Sequence, residues 1–431
     1  MNFLIFMALF FLLIFIGMPI AVAMIILSFF YVTITGIGAE MMAVNMFTGM
    51  TNFVLLAIPL FILTAEVMDR TKVTDKMFRF CNALVGYFPG GLGHVNIVTS
   101  VIFAGMSGAA VADVGGIGHI CFSEMKKAGY PEDFSAAVTM SSSLIGPIIP
   151  PSIPVIIYSM ATGASVGKLL FAGVVPGLLM ALVLMVWVWV ESLIHHYPRQ
   201  KMVPWKQYFR ELFASFLVSL PALFTPLVLL YCIYTGVTTS TEAAAVAVCY
   251  ALFLGLVLYR TLSFKDFIES FKNVFVKCGP VLLAIPAGKA FGFVLTNENV
   301  QKNLYDMMIS VSGGNRWVII TMIMLLFIVL GMLSDPNVNI MLFAPMVASV
   351  AVSVGFDEIH FGIILILNAM LGNITPPVGN VLMAVCSLEK LDFLKACKAL
   401  IVPIALLVAV MVLLIAVPEL CIWLPNLLLG D

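Results

Sequence analysis

The chain has 431 residues, of which 62% are apolar and 10% charged, with a net charge of -1. So few charges cannot clothe the surface of a soluble domain of this length, and the composition points into the bilayer. The near-neutral balance excludes nucleic acid as a partner, and the eight scattered cysteines, with no CxxC and no paired His spacing, exclude a disulfide framework or a zinc site.

The first charge-free stretch, Met1 to Ala39, is too long for a secretory signal core and lacks its basic flank, so it predicts one retained span over Leu4 to Thr33. Met41 to Met50 follows as a short interfacial arm, then a span over Asn52 to Met68. Gly91 to Asp113, continuing through Gly118, begins and ends beside basic loops, so it is expected to enter the membrane and return as a hairpin. The next span, Ser135 to Tyr158, carries Pro147, Pro150 and Pro151 in its middle. These prolines remove backbone donors and clash with preceding carbonyls, which predicts a broken helix with oxygens near Ser143 to Ile148 left without helical partners.

Spans over Phe171 to Ile194, Leu212 to Tyr234 and Thr241 to Tyr259 come next, then a second interfacial arm over Leu262 to Phe271 and a span over Pro280 to Leu295. Trp317 to Pro345 begins and ends on the opposite side from the first hairpin and is expected to be a second one. A second broken span covers Ile359 to Val385, interrupted at Gly372-Asn373-Ile374-Thr375-Pro376-Pro377, and the last span covers Ala399 to Val417.

Five loops hold 17 of the 21 Lys and Arg: Asp69 to Arg79 with Lys72, the pair Lys126 and Lys127, His195 to Arg210 with Lys201, Arg260 to Lys277, and Leu388 to Lys398. The positive-inside rule makes them cytoplasmic, and Glu40, Glu242, Asp357, Glu358, Glu419 and Asp431 fall on the outer side. The N-terminus is then expected in the cytoplasm and the C-terminus in the periplasm.

An offset of 226 residues brings Gly105-Met106 onto Gly331-Met332, Gly129 to Glu132 onto Gly355 to Glu358, Gly146 onto Gly372, and Pro150-Pro151 onto Pro376-Pro377. The chain therefore divides into a first repeat over 1–211, with a hairpin near 91–118 and a broken helix over 135–158, and a second repeat over 235–431, with a hairpin near 317–345 and a broken helix over 359–385. A connecting helix over 212–234 lies between them. An odd number of crossings turns the second copy upside down, so the expected fold is an all-α polytopic membrane protein of inverted repeats.

Broken backbone at membrane depth needs partners, and hard oxygens suit a partly dehydrated sodium ion. One cation site is expected in each half, between the hairpin tip and the break, with helix ends presenting NH groups to a carboxylate held between them. Asp113 and Lys289 are candidate buried charges, each costly at membrane depth unless partnered; Lys289 is read as a substrate counter-ion or as the partner of Glu66 or another acid. An intramembrane enzyme using Asp113 and Asp335 as an acid pair is the rival chemistry, disfavoured because the two hairpins open to opposite sides.

The runs Gly105 to Asp113, Ala136 to Ile157, Gly173 to Leu178 and Gly372 to Gly379 resemble the large membrane subunit of the tripartite ATP-independent periplasmic transporters, and the likeness covers essentially the whole chain. It implies sodium-coupled import of a small organic acid, a C4-dicarboxylate, sialic acid or a related carboxylate, by an elevator movement, at the bacterial inner membrane. It implies no cofactor beyond sodium as coupling ion. The implied partners are a periplasmic substrate-binding protein and a small four-helix membrane subunit, here expected as a separate chain. Carried over by position, the sodium ligands would be Ser107, Gly108, Ser143, Gly146 and Pro147 in the first half, and Ser334, Asp335, Gly372, Asn373 and Thr375 in the second. Candidate substrate ligands are Ser107, Ser152, Asn337, Asn373 and Thr375. The alternative is a stand-alone sodium-dicarboxylate symporter that needs no binding protein.

Overall fold

The computed structural model of the chain describes residues 3–71, 73–200 and 203–430, so Lys72, Lys201 and Asp431, whose sides were assigned from sequence, lie outside the described residues. Every regular element among the described residues is helical. The first half runs through α1 (Phe3–Phe15), α2 (Ile20–Thr35), α3 (Ala39–Met50), α4 (Ala57–Arg70), α5 (Val73–Val85), α6 (Gly91–Ser107), α7 (Ala110–Asp113), α8 (His119–Lys127), α9 (Glu132–Ser143), α10 (Ile153–Thr162), α11 (Val166–Ala172) and α12 (Val174–His195). The second runs through α13 (Trp205–Tyr234), α14 (Ser240–Phe253), α15 (Phe264–Asn297), α16 (Val300–Ser312), α17 (Arg316–Leu333), α18 (Pro336–Ser353), α19 (Glu358–Gly372), α20 (Asn380–Glu389), α21 (Phe393–Ala399), α22 (Ile401–Ala416) and α23 (Glu419–Leu429).

Among the described residues six helices are long and apolar enough to cross a membrane, or eight if two bent pairs each make one span. The chain is a multi-pass membrane protein. Shifted by 226 residues, the starts of α6, α7, α9, α10, α11 and α12 fall within one residue of those of α17, α18, α19, α20, α21 and α22. The periodicity read from Gly and Pro is therefore a periodicity of helix boundaries as well.

Several expectations need correction. Leu4 to Thr33 is not one span: Gly17 turns the chain at φ 94 and α1 folds back on α2, bringing the Phe6 and Tyr31 rings to 5.9 Å. The N-terminal residues thus return to the side on which α2 ends, and the single crossing that separated them from Glu40 is absent. The second interfacial arm is not separate either, because Leu262 to Phe271 leads straight into the 34-residue α15, which absorbs Pro280 and Pro286. Its counterpart in register, α3 followed by residues 53–70, is bent by 54°. Both hairpins are longer than expected, reaching Lys127 and Ser353, the connecting helix starts at Trp205, and α23 follows the last expected span.

Two sets of helix contacts run through one continuous apolar core. In one, α4 and α15 are joined by Glu66, which accepts from Lys277 and, at 3.1 Å, from Asn273 Nδ2, while α13 packs on α5 and α15 on α2 and α3. The other holds both hairpins and both broken helices, and its centre is α9 and α19, buried continuously over Phe134 to Ser143 and His360 to Gly372. Within it α9 packs on α6, and α19 on α17 and α18. The second pieces of the broken helices cross over: α10 packs on α18, and α20 on α7 and the turn after it. Each hairpin is thereby held by both halves of the chain.

Candidate functional site: two hairpin tips on two broken helices

Residues 144–152 cannot continue α9 because Pro147, Pro150 and Pro151 withhold donors. The expected loss of helical partners is met: between Ser143 and Ile148 only Ile145 O keeps a donor four residues on. Ser143 O accepts from Gly146 N at 3.2 Å, Ile145 O from Ile148 N and Ile149 N at 3.0 Å, and Pro147 O from Ser152 Oγ. Tight turns and one side chain partner these three carbonyls, whereas Leu144 O, Gly146 O and Ile148 O accept no hydrogen bond among the described residues. Ser152 also caps α10 by accepting from Val155 N at 3.2 Å.

The first hairpin tip sits on this break. Gly108 reverses the chain at φ 61, and a Cβ there would lie 2.4 Å from Pro151 O, so the close approach needs glycine on both counts. Ile153 N donates to Gly108 O at 3.3 Å, and an added Cβ on Gly146 would come within 3.9 Å of the Ala109 backbone. Ser107, Gly108, Gly146, Pro147 and Ser152 are thus brought together, with Ser143 one turn away. Ser107 Oγ is buried with no hydrogen-bond partner among the described residues.

The second tip also meets the break of its own half, through residues two or three positions earlier in the repeat. Gly331 and Gly372 cross so closely that a Cβ on Gly372 would lie 2.6 Å from Gly331 Cα, and Gly379 N donates to Met332 O at 3.2 Å. Asn373 O accepts from Val381 N at 3.0 Å, Thr375 Oγ1 donates to Leu371 O at 2.6 Å, and Asn373 Oδ1 is buried without a partner among the described residues. The second set of site residues is split, however. Gly372, Asn373 and Thr375 lie in the break, whereas Asp335 caps α18 through Asn337 N at 2.8 Å and shares with Asn337 a 110 Å³ cavity walled by Ile157 of α10 and Pro280 to Ile285 of α15. Ser334 faces a third direction, donating to Asn339 Oδ1 at 2.6 Å beside a 230 Å³ cavity that also touches Val378.

Glu66 takes Lys277 rather than Lys289. Lys289 is half-buried in the wall of a 320 Å³ cavity between α15 and α18, alongside Asn45, Thr296 and Gln301. Asp113 is fully buried and held by Ser100 Oγ at 2.9 Å. Sequence reading missed the polar ladder beyond it, Ser142, Asn96 and Thr139; the available signal was Asn96 and Ser100, one helical turn apart on the first hairpin arm.

Two hairpins seated on two interrupted helices within a polytopic bundle define a transporter-like membrane fold. The chain is similar in fold to Neisseria gonorrhoeae MtrF, whose structure is described as illuminating a class of antimetabolite efflux pumps, with a TM-score of 0.59 at 12% identity over 90% of this chain and 84% of that one. It is similar also to the Alcanivorax borkumensis YdaH transporter, with a TM-score of 0.53 at 13% identity over 86% of each chain. Residues 7–420 match the family described as the tripartite ATP-independent periplasmic transporter, DctM component, and the chain belongs to that family. Its relatives include the Vibrio cholerae sialic acid TRAP transporter large permease protein SiaM, 36% identical over 97% of both chains. The Haemophilus influenzae sialic acid TRAP transporter permease protein SiaT is 33% identical over 96% of this chain and 67% of its own length. The Pseudomonas aeruginosa C4-dicarboxylate TRAP transporter large permease protein DctM is 34% identical over 78% of each.

Proposed function

We propose that this chain imports a small organic acid, a C4-dicarboxylate, sialic acid or a related carboxylate, by sodium-coupled secondary transport rather than catalysing a reaction. The observation that carries this reading is that each hairpin tip meets the break of its own half, Gly108 at Pro151 and Ile153, and Gly331 and Met332 at Gly372 and Gly379, with Ser107 Oγ and Asn373 Oδ1 buried and unpartnered beside them. Such oxygens are suited to a coupling ion. The ligands are taken to be Ser107, Gly108, Ser143, Gly146 and Pro147 at the first site, and Ser334, Asp335, Gly372, Asn373 and Thr375 at the second. The split of the second set leaves Gly372, Asn373 and Thr375 as its nucleus. The substrate carboxylate lies between the sites, toward Ser107, Ser152, Asn337, Asn373 and Thr375.

In this reading the two repeats are inverted, and the group holding hairpins and broken helices moves as an elevator against the group built on α4 and α15. The division at 1–211, 212–234 and 235–431 is kept, with the connecting helix extended back to Trp205. The substrate arrives from a periplasmic binding protein, a small four-helix subunit completes the complex, and the membrane is the bacterial inner one. Basic loops face the cytoplasm and the C-terminus faces the periplasm. Because α1 folds back on α2, the N-terminus belongs on the side of Glu40, the periplasmic side, instead of the cytoplasmic side.

The test is uptake into proteoliposomes of the complex with its binding protein. Uptake should require an inward sodium gradient and should be lost in Asn373→Ala and in Gly146→Pro, both still folded by thermal unfolding. Undiminished sodium dependence in both variants would reject the site, and full uptake without a binding protein would favour the stand-alone symporter.

A further inference from the structure

The proposed tip sites leave one buried charge unused. Asp113 closes α7, just past the first hairpin tip, and no part of it is exposed. Ser100 Oγ donates to its Oδ2 at 2.9 Å, while Oδ1 has no hydrogen-bond partner among the described residues. Ser100 Oγ also lies 3.2 Å from Ser142 Oγ, which lies 3.2 Å from Asn96 Oδ1, and Asn96 Nδ2 donates to Thr139 Oγ1 at 2.8 Å. Asn96, Ser100, Asp113, Thr139 and Ser142 are each no more than 2% exposed. No Lys, Arg or His forms an ion pair with Asp113 among the described residues. A carboxylate so placed needs a counter-charge, and one serine hydroxyl does not supply it.

Two further observations point the same way. The turn after Asp113, Val114–Gly118, is π-helical, with His119 N bonded to Val114 O, a local widening frequent at functional sites. And the position 226 residues on is Asn339, buried on the second arm of the other hairpin, where a neutral amide accepting from Ser334 suffices. Packing at this place in the hairpin therefore does not require a charge, yet the first half has one.

We propose that Asp113, with Ser100, Ser142 and Asn96 Oδ1, forms a further sodium site within the first hairpin, distinct from the two sites at the tips. The donors are a carboxylate, two hydroxyls and an amide oxygen, all hard ligands of the kind an alkali cation prefers to any sulfur or imidazole set. They come from α6, α7 and α9, so a bound cation ties both arms of the hairpin to the first piece of the broken helix. The serine hydroxyls rotate freely enough to turn a lone pair toward the cation.

This inference rests on the reading that the chain couples sodium, and equilibrium binding of radioactive sodium to the purified full-length complex in detergent separates the two. Asp113→Asn copies the amide of Asn339 and should fold; it is expected to bind one sodium fewer than wild type. Asn373→Ala should lose a different sodium, so that the double variant loses both. Ser100→Ala, which keeps the carboxylate, should weaken one class of site about tenfold or more, and Asp113→Glu should restore the lost equivalent. Wild-type sodium stoichiometry in Asp113→Asn overturns the proposal and leaves the tip sites standing. So does an unchanged sodium count accompanied by loss of pH dependence, which would make Asp113 a proton carrier. No sodium bound to wild type would remove both readings.

Discussion

Gly331 and Gly372 meet backbone to backbone, with no flexible side chain between them to give way. Alanine at 372 would put a methyl 2.6 Å from one main-chain atom and 2.7 Å from the next, so the second hairpin must lift from the break. We expect Gly372→Ala to cost about 1–3 kcal/mol, as overpacking does, and to weaken sodium-dependent uptake, both read against thermal unfolding in detergent. Gly279→Ala is the control: an added Cβ there meets nothing within 4 Å, and its effect should stay within about 0.5 kcal/mol. Equal effects from the two substitutions would mean that the crossing at the tip carries no special constraint. Gly331 and Gly372 were legible in the sequence because glycine and proline cannot hide in a helix, and their recurrence at one offset marks them out. The ladder from Asp113 to Thr139 was not, because Asn, Ser and Thr scattered over two helices look like ordinary small packing residues until the helices are laid together.

Among the elements, the α1–α2 turn is the clearest disagreement with the sequence reading. Gly17-Met18-Pro19 lies inside a charge-free run, and a glycine and proline in such a run are tolerated by many spanning helices, so composition cannot tell a kink from a reversal. The reversal is set by partners elsewhere in the chain: the Phe6 and Phe10 rings pack on Phe291 of α15 at 5.2 and 4.9 Å, and Tyr31 donates to Glu298 at 2.7 Å. Cysteines at 6 and 31, in a chain otherwise free of cysteine, should be joined by a short bifunctional reagent. In one continuous helix they would stand about 37 Å apart and could not be joined. The broken helices fared differently. Three prolines in one break and two in the other made both legible, but the sequence did not show which carbonyls the tight turns would partner, nor that Asp335 and Asn337 turn toward α10, which depends on how the two halves pack.

At the scale of the whole molecule, transport by an elevator requires α18 to slide past α15. A Cβ on Gly288 would lie 3.0 Å from Met341 Cγ, so cysteines at 288 and 341 should form a disulfide across that boundary. Oxidation should then stop uptake without preventing sodium binding, and reductant should restore it; transport that continues in the cross-linked protein would exclude relative movement there. Cysteines placed at the exposed hairpin ends Lys127 and Ser353 should be labelled from opposite faces of sealed vesicles if the repeats are inverted. The break and 54° bend between α3 and residues 53–70, where the 34-residue α15 that matches them in register runs uninterrupted, have a consequence of their own. Two copies of one design, one broken and one continuous, cannot be interchanged by any rotation. The molecule is consequently polarised, and a solute approaching from one face of the bilayer meets a different silhouette from one approaching the other.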